Sequence, residues 1–189
     1  MPLKKHAITA ETAKNVVLGS GILVTGLTYA EDDWTYEELG ATSGGGKISY
    51  EREYIDLEVD GKTVKVENFD VKVAETGLMT LNLAEYKQET IVTALCLKQD
   101  SSNPVTGFTK YKPSKQNAYV DRLGFVGYTA EGKPIIVIFP KAICLSAFEL
   151  EVKNKEQATI ALEFSAVAPT ESDNYEELGI EFYFPTETV

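Results

Sequence analysis

The chain has 189 residues, with 18 Lys and Arg against 29 Asp and Glu, so its formal charge is −11. A balance this acidic argues against a protein whose task is to grip nucleic-acid phosphates, because that grip needs clustered cations that release counterions. With 43% hydrophobic and 25% charged residues, the chain can bury a core as one domain without disulfide staples.

Residues 1 to 14 are polar and aperiodic and read as an N-terminal arm. Glu11, Lys14 and Asn15 stand where a signal peptide would carry its apolar region, so export by that route is not expected. The longest apolar stretch, Val16 to Leu27, is interrupted by Gly19, Gly21 and Gly26 and is too short for a bilayer span, so no membrane partner is expected. Asn15 to Tyr29 reads as a strand punctuated by glycine. Residues 30 to 46 join the acidic cluster Glu31, Asp32, Asp33, Glu37 and Glu38 to a glycine-rich tail, which predicts a loop.

Asp60-Gly61 suits a two-residue turn between two alternating segments. Pairing across it sets Leu57 opposite Val64 and Ile55 opposite Val66, with Asp56 opposite Lys65 and Glu58 opposite Thr63 on the other face. The alternation slips by one residue in each arm, which predicts a bulge near the open end. Asn82 followed by Glu85 fits a helix N-cap, and Ala84, Ile91, Val92 and Leu95 continue it as an apolar stripe. Residues 98 to 122 contain Pro104, Gly107 and Pro113 and carry five basic against two acidic residues. They read as a long loop, a length that is functional or mobile in compact domains.

The unbroken run Ile135 to Phe139 predicts a strand covered on both faces. Phe148, Leu150 and Val152 alternate with acidic and basic residues, and Ile160, Leu162 and Phe164 alternate with Ala161, Glu163 and Ser165. A three-residue loop at Asn154 to Glu156 would pair Leu150 with Ile160 and Phe148 with Leu162. Ile180, Phe182 and Phe184 make a last strand stopped by Pro185. The sum is a mainly β protein: one antiparallel β-sandwich or partly closed barrel over residues 15–189, with one flanking helix.

The residues do not assemble an enzyme. The one histidine, His6, lies in the arm, away from any nucleophile that it would have to activate. Cys96 and Cys144 sit in apolar surroundings, which reads as buried thiols in a reducing compartment, and they do not make a zinc quartet. Gly40 to Ser49 departs from a phosphate loop at Ala41 and Ile48 and leads into a strand. Asp32 and Asp33 beside Trp34 lack calcium-loop spacing. Neither a catalytic site nor a metal or cofactor is expected.

Four segments in order carry a resemblance: Leu39-Gly40-Ala41-Thr42-Ser43-Gly44-Gly45-Gly46, a strand ending Glu58-Val59-Asp60-Gly61-Lys62, the run Val64-Lys65-Val66-Glu67-Asn68, and a helix ending Ala94-Leu95. Over residues 15 to 97 the chain resembles the major tail tube proteins of long-tailed, siphovirus-like bacteriophages and prophages. The resemblance implies a structural virion protein that forms stacked, six-fold rings, made in the host bacterial cytoplasm and located in the virion tail as the conduit for DNA. The partners it implies are further copies of the chain, a tape measure protein, tail terminator and tail-tip proteins, and genomic DNA in transit without tight binding. The polar faces then become lumen candidates: Asp56, Glu58, Thr63 and Lys65 from the first hairpin, and Glu149, Glu151, Thr159, Glu163 and Ser165 from the second. A mostly acidic lining repels phosphate and lets DNA slide. Ring stacking is assigned to the basic Lys110, Lys112, Lys115 and Arg122 meeting the acidic Glu31, Asp32, Asp33, Glu37 and Glu38 of the next ring. Two alternatives stand beside this: the tube subunit of a contractile tail, tailocin or secretion-system particle, and a carbohydrate-binding sandwich using some of the 19 aromatics, such as Trp34, Tyr36, Tyr111 and Tyr119.

Overall fold

The computed structural model describes residues 12–150, 154–155, 157–170 and 177–186. The first eleven residues, with His6, lie outside this set, as do Glu151 and Val152. In chain order the elements are α1 (Thr12–Asn15), β1 (Val17–Ala30), β2 (Asp33–Glu38), β3 (Thr42–Asp56), β4 (Asp70–Leu83), α2 (Gln88–Ala94), β5 (Leu97–Gln99), β6 (Tyr111–Pro113), β7 (Tyr119–Thr129), β8 (Pro134–Cys144), β9 (Ile160–Ala166) and β10 (Glu181–Tyr183).

Eight strands form one antiparallel sheet in the order β2-β1-β7-β8-β9-β4-β3, with β10 paired to β8, while β5 and β6 make a separate ribbon. The sheet folds over without closing into a barrel and has a sandwich-like core, so the fold is mainly β as expected. Leu23, Leu123, Phe139, Phe164, Met79, Leu81 and Leu83 meet in that core, and α2 adds Ile91 and Ala94. A second, smaller core lies on the other face of β1, β7 and β8: Val24, Leu27, Val126, Ile136 and Ile138, with Trp34 against it.

Two adjacent residues of β1, Leu23 and Val24, therefore serve opposite cores. Leu27 rejoins Val24 because the β1–β2 register shifts between Thr25 and Thr28, at Gly26 with φ +65. A left-handed residue there inserts one position and turns Leu27 to the face that simple alternation would deny it. On β8, Ile136, Val137, Ile138 and Phe139 are all buried, in agreement with a strand covered on both sides.

Several expectations are corrected. The acidic segment is a hairpin rather than a loop: Ala30 pairs with Asp33 across Glu31 and Asp32, both left-handed at φ 52 and 64, as a primed turn requires. The helix begins at Gln88, with Lys87 at its N-cap position and no side-chain cap. Asn82 lies in β4 opposite Ala161, and the Glu85 carboxylate accepts the Ala41 N–H at 2.9 Å. Thr90 anchors α2 by donating to the Leu39 carbonyl at 2.6 Å.

The stretch 98–122 is partly ordered into strands, with Leu97 opposite Pro113 and Gln99 opposite Tyr111, and β7 starting at Tyr119. The register around Asp60-Gly61 also differs. Ile55 pairs with Val71 and Asp56 with Asp70, so residues 57–69 form a long connection rather than paired arms. A bulge does occur near this end, where Glu53 pairs with Ala74 and Tyr54 with Lys72, leaving Val73 extra. β9 pairs with β4 and β8 and not with residues 148–150, the described part of the expected arm; Cys144 faces Phe164 and Ala142 faces Ala166. The apolar row Ile160, Leu162, Phe164 closes more core between two long strands than a local hairpin could offer.

Candidate functional site

The connection between β3 and β4 is a finger, residues 57–69, that continues the two strands. Its tip turns through a Lys62 N–H to Val59 carbonyl bond of 3.1 Å, with Gly61 at φ +88. The Lys62 ammonium binds the Asp56 carboxylate, donates to the Leu57 carbonyl at 2.9 Å, and lies 4.9 Å from the Phe69 ring centroid. Lys65 pairs with Asp70 at 3.1 Å. These contacts fix the polar groups but leave the aliphatic ones uncovered: Ile55, Leu57, Val59, Val64, Val66, Val71 and Val73 are 38 to 70% exposed. So dense a run of exposed aliphatics is unusual on a lone subunit.

Asp56, Glu58, Thr63 and Lys65, the first set of lumen candidates, are brought together here around a shallow cavity of about 680 Å³. They do not share a strand face with the second set. Ser165 pairs with Leu78, which pairs with Ser49, and Glu163 pairs with Thr80, which pairs with Lys47. Glu163 and Ser165 therefore stand on the face of the odd-numbered β3 residues, while Asp56 belongs to the opposite face with Tyr50 and Arg52. Thr159 is exposed just before β9, and Glu149 is exposed in an unpaired segment.

Three of the four basic stacking candidates have carboxylate partners inside the subunit. Lys110 and Lys112 lie 3.1 and 2.7 Å from Asp100. Lys112, Ser102 and Lys110 together hold that carboxyl far below its usual range. Arg122 donates to the Leu27 carbonyl at 2.7 Å and to both Glu181 oxygens at 3.2 Å. Lys115 is exposed and makes no ion pair among the described residues. All five acidic candidates are exposed on the β1–β2 hairpin, and Glu37 and Glu38 border a cavity of about 660 Å³ with Lys87, Glu89 and Asp121.

The last strand expected from Ile180, Phe182 and Phe184 is present as β10 within a C-terminal strap, residues 177–184, which pairs with β8 beyond the end of β9 and touches β4 at Glu75 and Gly77. Glu181 pairs with Ile138 and Tyr183 with Ile136. A Cβ on Gly77 would lie 2.7 Å from Ile180 Cδ1, 3.1 Å from Phe139 and 3.2 Å from Ala166, so a side chain there would press on the seated strap and make Ile180 shift. Phe182 meets Tyr50 edge-on at 5.7 Å. Glu75 accepts from the Tyr50 hydroxyl and from the Leu178 N–H at 2.8 Å. Burial pushes the Glu75 carboxyl up, but these hydrogen bonds outweigh it and hold it below the usual range. Its hydrogen bond to Glu75, reinforced by burial, raises Tyr50. Glu181 shows the same balance: burial raises it, and Tyr183 and Arg122 hold it down.

Among the described residues no group of three or more His, Cys, Asp and Glu side chains is placed to hold a metal ion. Cys96 and Cys144 are free and partly buried. The ring of Trp34 meets Tyr29 at 55° and Tyr183 at 83°. Among the described residues no helix is long and apolar enough to cross a membrane.

No protein-family profile matches the chain, and no curated protein matches it. Among solved structures, it is similar to a chain of the virion of a native gene transfer agent particle, at 11% identity and a TM-score of 0.44, over 87% of this chain and 96% of that one.

Proposed function

We propose that this chain is a structural virion protein, the subunit of a phage tail tube, which self-assembles into stacked, hexameric rings through which DNA is delivered. The observation that carries self-association is the finger with the strand ends that bear it, whose seven aliphatic side chains, four in the finger and three in β3 and β4, remain open to water in the subunit and call for cover by another molecule. The ordered motifs of residues 15–97 supply the tail-tube reading. The sandwich-like fold is compatible with it.

In this reading the face with Glu163 and Ser165 is the lumen candidate. Of the basic loop, Lys115 is the residue free to reach the next ring. The chain is a scaffold rather than an enzyme, needs no cofactor, and meets tape measure, terminator and tail-tip proteins as partners in the tail, where it arrives from the host cytoplasm. Negative-stain electron microscopy of the purified protein across concentration tests this. Stacked rings or hollow tubes are expected. A strict monomer that also fails to extend on a tail-tip complex overturns the reading.

A further inference from the structure

We propose that Leu145–Leu150 of one copy adds as an extra strand to the free edge of β4, residues Asp70–Thr76, of a second copy. This deepens the self-assembly reading and rests on it.

The acceptor is an unfinished part of the sheet. β3 pairs with β4 along its whole length, but on the other side β9 reaches only Leu78–Leu83. From Asp70 to Thr76 that side has no strand partner among the described residues. Such an edge presents alternating unpaired N–H and C=O groups, a template for an incoming chain. Here it borders a cleft of about 440 Å³, walled on the far side by Glu177 and Leu178. The wall is fixed, because the Leu178 N–H is held by Glu75. The charges on this edge are internally matched, with Lys72 3.8 Å from Glu75, so Val71 and Val73 are left as its exposed apolar residues. The outer edges of β2 and β3 instead carry Glu37, Glu38, Glu51 and Glu53, all exposed, and charges of that kind guard an edge against strand addition.

The donor is a strand pattern without a strand. Phe148, Glu149 and Leu150 alternate as β-residues do, yet residues 145–150 belong to no ladder. Leu145, Phe148 and Leu150 are each about half exposed. The segment starts like a strand, with the Leu145 N–H on the Glu163 carbonyl at 2.8 Å, and then stops pairing.

The two cannot meet within one copy. Leu145 lies beside Glu163, which is opposite Thr80, and the antiparallel course from Cys144 opposite Phe164 carries the chain toward the Asn82 end of β4. The free edge lies the other way, its middle seven residues or roughly 23 Å from Thr80 at the rise of a β-strand. Each copy thus offers a donor and an acceptor at opposite ends. A head-to-tail contact of that kind propagates, and closes into a ring when the rotation allows.

Cysteine cross-linking between separately labelled copies tests it. In a Cys96→Ser, Cys144→Ser background, Val71→Cys or Ala74→Cys protein is mixed with Phe148→Cys or Leu150→Cys protein and mildly oxidised. Paired strands bring Cα atoms within disulfide reach. At least one combination should link about tenfold faster than a control with the cysteine at Val105, through the effective concentration of a docked pair. A Phe148→Lys, Leu150→Lys variant, altered only at exposed positions, should fold and lose assembly. Oligomers that form with no linkage above the control overturn the strand addition and leave self-assembly standing. Absence of any oligomer, together with failure to extend on a tail-tip complex, overturns both.

Discussion

Replacing Val59 and Val64 with Asp removes the two aliphatics that lie on either side of the finger's turn. Val59 is 55% and Val64 70% exposed, so folding uses little of their surface, and covering what remains is left to a partner. Full burial of such a side chain is worth about 1.5–3 kcal/mol, which makes these two worth roughly 2–4 kcal/mol to an interface before the cost of burying a carboxylate is added. At 1.4 kcal/mol per decade, the double variant should raise the concentration needed for assembly at least about 30-fold. Sedimentation velocity against concentration reads that shift. Thermal unfolding of the dissociated subunit should move by no more than about 0.5 kcal/mol, the usual range for surface changes. Unchanged assembly at unchanged stability refutes the role given to the finger. Lost assembly together with an unfolded subunit refutes the claim that these side chains are idle in the monomer.

Gly77→Ala should cost about 1–3 kcal/mol by overpacking the strap. Ile180→Ala should cost less in the Gly77→Ala background than alone, and additivity in that double-mutant cycle would exclude the contact. The carboxyls of Glu75 and Glu181 are held below their ordinary value, so the stability they give is present above the unfolded carboxylate range and is lost as pH falls through the folded value. Glu75→Gln and Glu181→Gln should therefore be less stable than the parent at neutral pH and approach it in acid. A gap that stays constant with pH in chemical denaturation would contradict this. Lys115→Glu alone, with Lys110 and Lys112 kept on Asp100, should shorten tubes in electron micrographs without changing unfolding, and tubes of full length would remove Lys115 from stacking.

Much of the central sheet is legible from local pattern. Ile135 to Phe139 reads correctly as a strand covered on both faces because an unbroken apolar run has no side to give to water. Helix α2 is visible through Ile91, while its start is misplaced because Asn82 and Glu85 imitate a capping pair and are claimed instead by β4 and Ala41. The β2 strand is hidden by its charges. Trp34 and Tyr36 are good strand residues at alternate positions, but Glu31 and Asp32 lack the glycine that ordinarily announces a primed turn. The strap is legible only as a terminal strand. That Ile180 plugs a space kept open by Gly77 depends on residues about a hundred positions apart, which no local periodicity reports.

Two misreadings share a cause that bears on function. Residues 57–69 alternate well enough to predict paired arms, and residues 148–152 well enough to predict a hairpin with β9, yet within the subunit neither 57–69 nor the described 148–150 pairs in that way. Both segments present aliphatic or aromatic side chains to solvent, and the β4 edge that lacks a partner completes the set. Natural sequences tend to agree with their folds at every level, and departures concentrate where function requires them. For a monomer, an exposed aliphatic finger, an unpaired strand pattern and an unpaired edge are three independent costs and an aggregation hazard. For a subunit that is completed by copies of itself they are one consistent design, because each unsatisfied surface meets a complementary one in the polymer. The same reasoning ranks the surfaces: those whose local pattern already demands a partner are the ones at which a substitution should stop assembly without unfolding the subunit.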